Sequence, residues 1–223
     1  MRLTTLPLLL CLSFGLCAAE RWQKLFNGRD LTGWQSVGDG IWTVLSDGTL
    51  VGQRNPRQSG PPEHWIEKQD YPKWLYRQAW LYTKQEYADF DLEFEYWLQT
   101  VGNSGVSLHD SSRAQHAVSN PPDRTRTPSR IGYEVQLSSR YPDEYPTGSI
   151  YGLVKAKIGS QVEDQWNRMR IQSRAGALRV SINGQVVAEH RGDSGRPKFG
   201  PIGLQLHDQY SVTMFRNIRL RTP

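Results

Sequence analysis

Cysteine is almost absent from this sequence. Its two cysteines, Cys11 and Cys17, both lie within the first 19 residues. The rest of the chain therefore has no disulfide bond and no thiol chemistry. Cys-based zinc spacing, the His-Glu-x-x-His motif, a Gly-rich phosphate loop and the Gly-x-Ser-x-Gly motif are missing as well. The fold must be stabilised by its own hydrophobic core.

Long apolar runs and dense basic blocks are also missing after residue 19. No run there is long enough to span a membrane, so we predict a protein that is not membrane-spanning. The formal net charge is only +5, and Arg124, Arg126 and Arg130 are spread among Pro, Thr and Ser. We therefore predict no nucleic acid partner.

The first 19 residues have the pattern of a secretory signal peptide. Arg2 precedes an apolar run over 6–16, and the small residues of Cys17-Ala18-Ala19 follow it. We predict cleavage after Ala19, a periplasmic or secreted protein, and a single domain over 20–223. A lipid anchor is the less favoured alternative, because a leucine precedes each cysteine.

Apolar and polar residues alternate with a period of two along much of the chain. Leu92, Phe94, Tyr96 and Leu98 share one face of a predicted strand, and Asn183-Gly184 is a strong hairpin signal. Many short strands predict an all-β fold, either a two-sheet sandwich or a jelly roll. The irregular stretches 53–78 and 110–130 are long enough to rim a cleft.

Two predicted strands carry polar side chains on one face. Glu134 and Gln136 alternate with apolar residues on the first, and Gln205 and His207 do so on the second. On a groove-forming sheet, the carboxylate and the imidazole could transfer protons while the amides bind sugar hydroxyls. From the alternation alone, an ordinary solvent-facing group is the favoured interpretation of both Glu134 and His207. Asn103 lies in a predicted polar turn, or at the edge of a groove.

Ordered motifs along the whole chain resemble the 3-keto-disaccharide hydrolase family. The family's fold is a concanavalin-A-like jelly roll, so the resemblance implies a two-sheet jelly-roll sandwich over 20–223. Three of the matching motifs are Leu25-Phe26-Asn27-Gly28-Arg29-Asp30-Leu31-Thr32-Gly33-Trp34, Gly132-Tyr133-Glu134-Val135-Gln136-Leu137 and Gly200-Pro201-Ile202-Gly203-Leu204-Gln205-Leu206-His207. The stretch 53–78 is longer than the family pattern leads us to expect.

The resemblance implies cleavage of glycosides that are oxidised at sugar carbon 3. It makes Glu134 and His207 the candidate catalytic residues. The candidate substrate contacts are Asn103, Gln136, Gln205, Tyr82, Lys84 and Tyr151. We predict no cofactor, and a divalent metal held by Glu134 and His207 stays an open alternative.

Two other functions fit the same sequence. Jelly rolls also serve as non-catalytic carbohydrate-binding modules of the cell envelope, and a fold alone does not settle function. An envelope protein without a sugar ligand is the third possibility. For the enzyme and for the carbohydrate-binding module, the expected partner is a carbohydrate.

Overall fold

The computed structural model describes residues 21–55, 78–100, 102–119, 121–139, 143–157, 159–207 and 211–223. The predicted signal peptide and most of the irregular stretch 53–78 lie outside these residues. The expectations of export, of cleavage after Ala19 and of a role for that stretch therefore stay predictions.

The described residues form thirteen strands and one short helix. The helix is α1 (Pro128–Ile131). The strands are β1 (Gln23–Lys24), β2 (Trp34–Val37), β3 (Gly40–Val44), β4 (Leu50–Arg54), β5 (Ala79–Thr83), β6 (Phe90–Leu98), β7 (Asn103–Leu108), β8 (Tyr133–Ser138), β9 (Asn167–Arg174), β10 (Ala177–Ile182), β11 (Gln185–His190), β12 (Ile202–Leu206) and β13 (Val212–Arg221).

The strands form two antiparallel sheets. The larger sheet has eight strands in the order β11-β10-β9-β6-β13-β4-β3, with β1 paired to β13. The smaller sheet has five strands in the order β2-β5-β12-β7-β8. This arrangement confirms the all-β, two-sheet jelly-roll sandwich predicted from the sequence.

The hydrophobic core lies between the two sheets. Leu92, Phe94 and Tyr96 of β6 face it from the larger sheet, and Val135 and Leu137 of β8 face it from the smaller one. Each such side chain contributes about 1.5–3 kcal/mol through burial. Because side chains alternate along a strand, these inward residues direct their polar neighbours to the outer faces.

Local turn signals were right in one place and wrong in another. Asn183 and Gly184 join β10 to β11, with φ angles of 50° and 86° that suit a tight hairpin turn. In contrast, Asn103 does not lie in a turn, because it begins β7 and pairs with Ser138. There the pairing with β8 outweighs the turn preference of the local sequence.

Candidate functional site

Strand β7 brings the two polar faces together. It lies between β8 and β12, with Ser107 opposite both Glu134 and Gly203. A Cβ atom at Gly105 would lie 2.6 Å from Oε1 of Glu134 and 3.3 Å from Oε1 of Gln205. The bare backbone at residue 105 therefore provides the space in which the carboxylate and the amide meet.

A cleft of about 400 Å³ opens on this outer face of the smaller sheet. Five of the eight site residues proposed from the sequence line it, namely Asn103, Glu134, Gln136, Tyr151 and His207. A sixth, Gln205, is fully buried beside Glu134. The structure thus places the two candidate catalytic residues in one cleft, although β7 separates their strands.

Loops build the walls of this cleft. The irregular stretch 110–130 contributes Ala117, Arg124 and Arg130, which is where a cleft rim was expected. The opposite wall comes from the segment after β8, which runs back along that strand. There the Tyr151 amide donates to the Glu134 carbonyl at 2.9 Å, which sets the Tyr151 ring beside the carboxylate strand.

Glu134 has the electrostatics of a group that can both accept and release a proton. Its residue surface is only 5% exposed. Burial raises the pKa of Glu134 to about 7, although the neighbouring Gln205 and Ser129 side chains act to lower it. Both protonation states are therefore accessible near neutral pH, as general acid or base catalysis requires.

His207 adds an imidazole to the cleft, and Tyr151 adds an exposed aromatic ring. His207 directly follows β12 and is half-buried at the cleft surface. Tyr151 is 43% exposed, and its ring centroid lies 5.0 Å from that of Tyr145 at a tilt of 46°. An exposed aromatic ring in a polar cleft offers a surface on which a sugar ring can pack.

Tyr82 and Lys84 do not line the cleft, contrary to their assignment as substrate contacts. Tyr82 is fully buried, and its ring lies across Gly203 and stacks on Trp80 with centroids 5.6 Å apart. Ala114 and Ala117 of the loop pack on this aromatic pair. Lys84 is exposed just beyond the end of β5.

Several residues of the cleft were not singled out from the sequence. Ser129 is positioned by α1 near Glu134, and Asp143 and Glu144 precede the Tyr151 segment. Asp143 and Glu144 lie in an irregular segment and Ser129 in a single helical turn, and neither is long enough for a hydrophobic period to indicate which way a side chain points. Asp110, which is buried beneath the loop and does not line the cleft, begins Asp-Ser-Ser, a recognisable turn signal.

Asp110 organises the loop that covers part of the sheet. Its side chain is fully buried. One carboxylate oxygen accepts hydrogen bonds from the backbone and hydroxyl of Ser112, at 3.0 and 2.6 Å. The other accepts from the Ala114 amide at 2.9 Å. This carboxylate holds a turn in which Arg113 and Ala114 have positive φ angles of 48° and 57°.

The site has no cluster of metal ligands within the described part of the chain. No three His, Cys, Asp or Glu side chains are grouped closely enough there to hold an ion. A metal held by Glu134 and His207 alone stays an open alternative. The same residues contain no helix long and apolar enough to cross a membrane.

The family assignment follows from comparison of the whole domain. The family described as 3-keto-alpha-glucoside-1,2-lyase-like domain matches residues 21–221. The chain belongs to this family. The match covers both sheets and every strand of the cleft, so the family resemblance stated from the sequence motifs is confirmed. The family is carbohydrate-related and glycosidase-like.

Solved structures agree on the fold. Two candidate glycosyl hydrolases from Parabacteroides distasonis ATCC 8503 are 19% and 23% identical, with TM-scores of 0.62 and 0.61. Alignments cover 91% of this chain in both cases, and 94% and 100% of theirs. The carbohydrate-binding module CBM66 of Bacillus subtilis is 11% identical with a TM-score of 0.52, covering 85% of this chain and 96% of its own. No curated protein sequence matches.

Proposed function

We propose that this protein is an exported enzyme that cleaves 3-keto-glycosides or 3-keto-disaccharides in the cleft at Glu134. The single observation that carries the proposal is the buried Glu134 carboxyl, whose pKa lies near 7, in a polar cleft that also contains His207. Family membership over residues 21–221 supports the substrate class.

The chemistry of a 3-keto sugar suits one base better than a pair of glycosidase carboxylates. The ketone acidifies the hydrogen on carbon 2, so a carboxylate can remove it and leave an enolate. The enolate electrons form a double bond between carbons 1 and 2 while the bond from carbon 1 to the leaving oxygen breaks. Water then adds at carbon 1, a proton returns to carbon 2, and the net reaction is hydrolysis.

Five side chains of the cleft have roles in this reaction. Glu134 takes the proton from carbon 2, exchanges it with solvent in the open cleft, and later donates a solvent-derived proton to carbon 2, which requires a group that titrates near the working pH. His207 donates a proton to the departing oxygen, as imidazole commonly does. The side-chain amides of Asn103 and Gln136 stabilise the enolate oxygen by hydrogen bonding. Tyr151 packs against a sugar ring.

The test is cleavage of a 3-keto-disaccharide panel in D₂O by residues 20–223, followed by mass spectrometry. We expect one deuterium on carbon 2 of the product, above the exchange of substrate incubated alone. Glu134→Gln should reduce turnover by about a hundredfold or more, because it removes the base. Glu189→Gln, an exposed carboxylate on the other sheet, is the matched control. Turnover with only protium at carbon 2 would exclude the elimination route.

A non-catalytic carbohydrate-binding module is the second candidate function. The open cleft and the 43% exposed Tyr151 ring favour it, because stacking on an exposed aromatic ring needs no acid or base. In that case the unmodified protein binds the sugars without turnover. Tyr151→Ala should then weaken binding, while Glu134→Gln should leave turnover at zero.

A further inference from the structure

The outer face of the larger sheet carries a second groove, which we call the basic groove. It is formed by the segment 22–29, the turn 46–48 and the neighbouring parts of β6, β9 and β13. Its volume is about 750 Å³, compared with about 400 Å³ for the Glu134 cleft. It faces away from that cleft because the two sheets are packed against each other.

Positive charge is in excess along the basic groove. The negative groups that line it are Asp47, Glu93 and Glu95. The positive groups are Lys24, Arg29, Arg168, Arg216 and Arg219. The groove lining thus has two more positive than negative side chains. The cleft lining has more acidic than basic groups, with Asp123, Asp143, Glu144 and, when it is ionised, Glu134 against Arg124 and Arg130.

The excess of positive charge continues beyond the groove, where three arginines surround Asp91. This single buried carboxylate accepts from three guanidinium groups, those of Arg170 at 2.8 Å, Arg174 at 3.0 Å and Arg221 at 2.6 Å. These four side chains together carry more positive than negative charge. Trp22 joins the cluster to the groove, since it lines the groove and its ring contacts Arg170 and Arg221.

Aromatic rings hold the arginines in place. The Arg219 guanidinium lies 4.8 Å from the Trp22 ring centroid, and that of Arg216 lies 4.0 Å from the Trp166 centroid. Carboxylates fix the same groups from the side, with Glu95 at 2.6 Å from Arg216. Pre-positioned guanidinium groups lose little conformational entropy when they bind an anion.

We propose that the basic groove binds a polysaccharide chain that carries carboxylate groups. The surplus charge selects an anionic chain, and arginine pairs with carboxylates through parallel hydrogen bonds. The neutral side chains of Gln23 and Ser46 in the lining suit hydroxyl groups. A concave groove fits a chain better than the flat surface of a lipid bilayer. This binding is independent of the activity proposed at Glu134.

The test is calorimetry with an oligogalacturonate and a neutral maltodextrin of equal length. We expect binding of the oligogalacturonate that weakens as salt is raised. Arg168→Gln and Lys24→Gln change exposed groups, so each should weaken binding about threefold, and together about tenfold. Arg179→Gln is the matched control, because its side chain is 53% exposed against 59% for Arg168, on the same sheet but outside the groove.

Three results would overturn the proposal, and one supports it. Equal weakening by Arg179→Gln and Arg168→Gln would overturn it, because general charge attraction would then account for the binding. So would loss of binding in Tyr151→Ala, which would place the chain in the cleft. Tighter binding to phosphatidylglycerol vesicles or to an oligonucleotide, lost in the groove variants, would also overturn it. Unchanged oligogalacturonate binding in Tyr151→Ala, together with weaker binding in Arg168→Gln, supports it.

Discussion

Oε1 of Glu134 occupies space that a side chain on residue 105 would take, because an added Cβ would lie 2.6 Å from that oxygen. Gly105 therefore fixes where the carboxylate can sit. We predict that Gly105→Ala lowers turnover of a 3-keto-disaccharide by about tenfold or more, since a displaced base loses its alignment with the substrate. Steady-state kinetics measures this effect.

Stability should respond much less to the same substitution. The nearest atom is the end of a flexible side chain, so thermal unfolding should show a loss of about 1 kcal/mol or less. Gly195→Ala is the control, because its added Cβ would meet only the Asp193 carboxylate at 3.4 Å. A large stability loss with intact turnover in Gly105→Ala would contradict this role of the glycine.

Because the pKa of Glu134 is raised in the folded protein, we predict that this residue makes the free energy of unfolding depend on pH. Burial raises this pKa from the ordinary value of 4.5 to about 7, so the unfolded chain ionises first as pH rises. Ionisation of Glu134 therefore costs stability above pH 4.5, reaching about 3 kcal/mol above pH 7. Glu134→Gln should remove this cost, so its gain in stability over the unmodified protein should grow between pH 4 and pH 8.

Urea unfolding between pH 4 and pH 8 measures the difference in stability between Glu134→Gln and the unmodified protein. Glu189→Gln, which changes an exposed carboxylate, should show no such pH-dependent gain. A constant difference between Glu134→Gln and the unmodified protein at all pH values would show that the carboxyl titrates normally.

Ionisation of Asp91 should stabilise the folded protein, whereas ionisation of Glu134 destabilises it. Burial opposes its ionisation, but hydrogen bonds from Arg170, Gln172 and Arg221 outweigh burial and lower its pKa. Its contribution to stability is present above the unfolded pKa of about 4 and is lost as pH falls through the folded value. Asp91→Asn should cost about 2–4 kcal/mol at pH 7, because three guanidinium groups lose their shared partner.

The same measurement at low pH gives the check on Asp91. The stability of Asp91→Asn should fall less steeply below pH 4 than that of the unmodified protein. The matched control is again Glu189→Gln, whose exposed ion pair with Arg179 should contribute less than about 1 kcal/mol. Equal costs for the two substitutions at pH 7 would contradict the role given to Asp91.

Strand periodicity predicted much of the fold and part of the candidate site. The alternation around Glu134 and Gln136 correctly indicated that both leave the core on one face, since the period of two is fixed by backbone geometry. It could not reveal that β7 separates β8 from β12, because strand order depends on contacts between distant segments. It also provided no reason to expect Gly105 as the residue that makes room for Glu134.

Burial by loops is a second feature that strand periodicity cannot predict. Tyr82 is on the cleft side of the smaller sheet, but Ala114 and Ala117 cover it, so it cannot reach a substrate in the cleft. Whether a loop packs on a strand depends on its turn geometry, which several irregular residues set together. Lys84 misses the cleft for a simpler reason, since it lies beyond the end of β5.

The Asp110 carboxylate leads to the last prediction, because it holds the loop that covers Tyr82. Asp110→Ala leaves the Ser112 and Ala114 amides without their acceptor, in a turn with two non-glycine residues at positive φ. We expect a loss of about 1–3 kcal/mol in urea unfolding and faster proteolysis within residues 111–118. Turnover should fall as well, because Ala117 of this loop lines the cleft.

Asp123→Ala is the matched control, since Asp123 accepts comparable hydrogen bonds from Thr125 in an exposed turn of the same cleft wall. If both substitutions open the loop equally, the buried position of Asp110 has no special role in closing it.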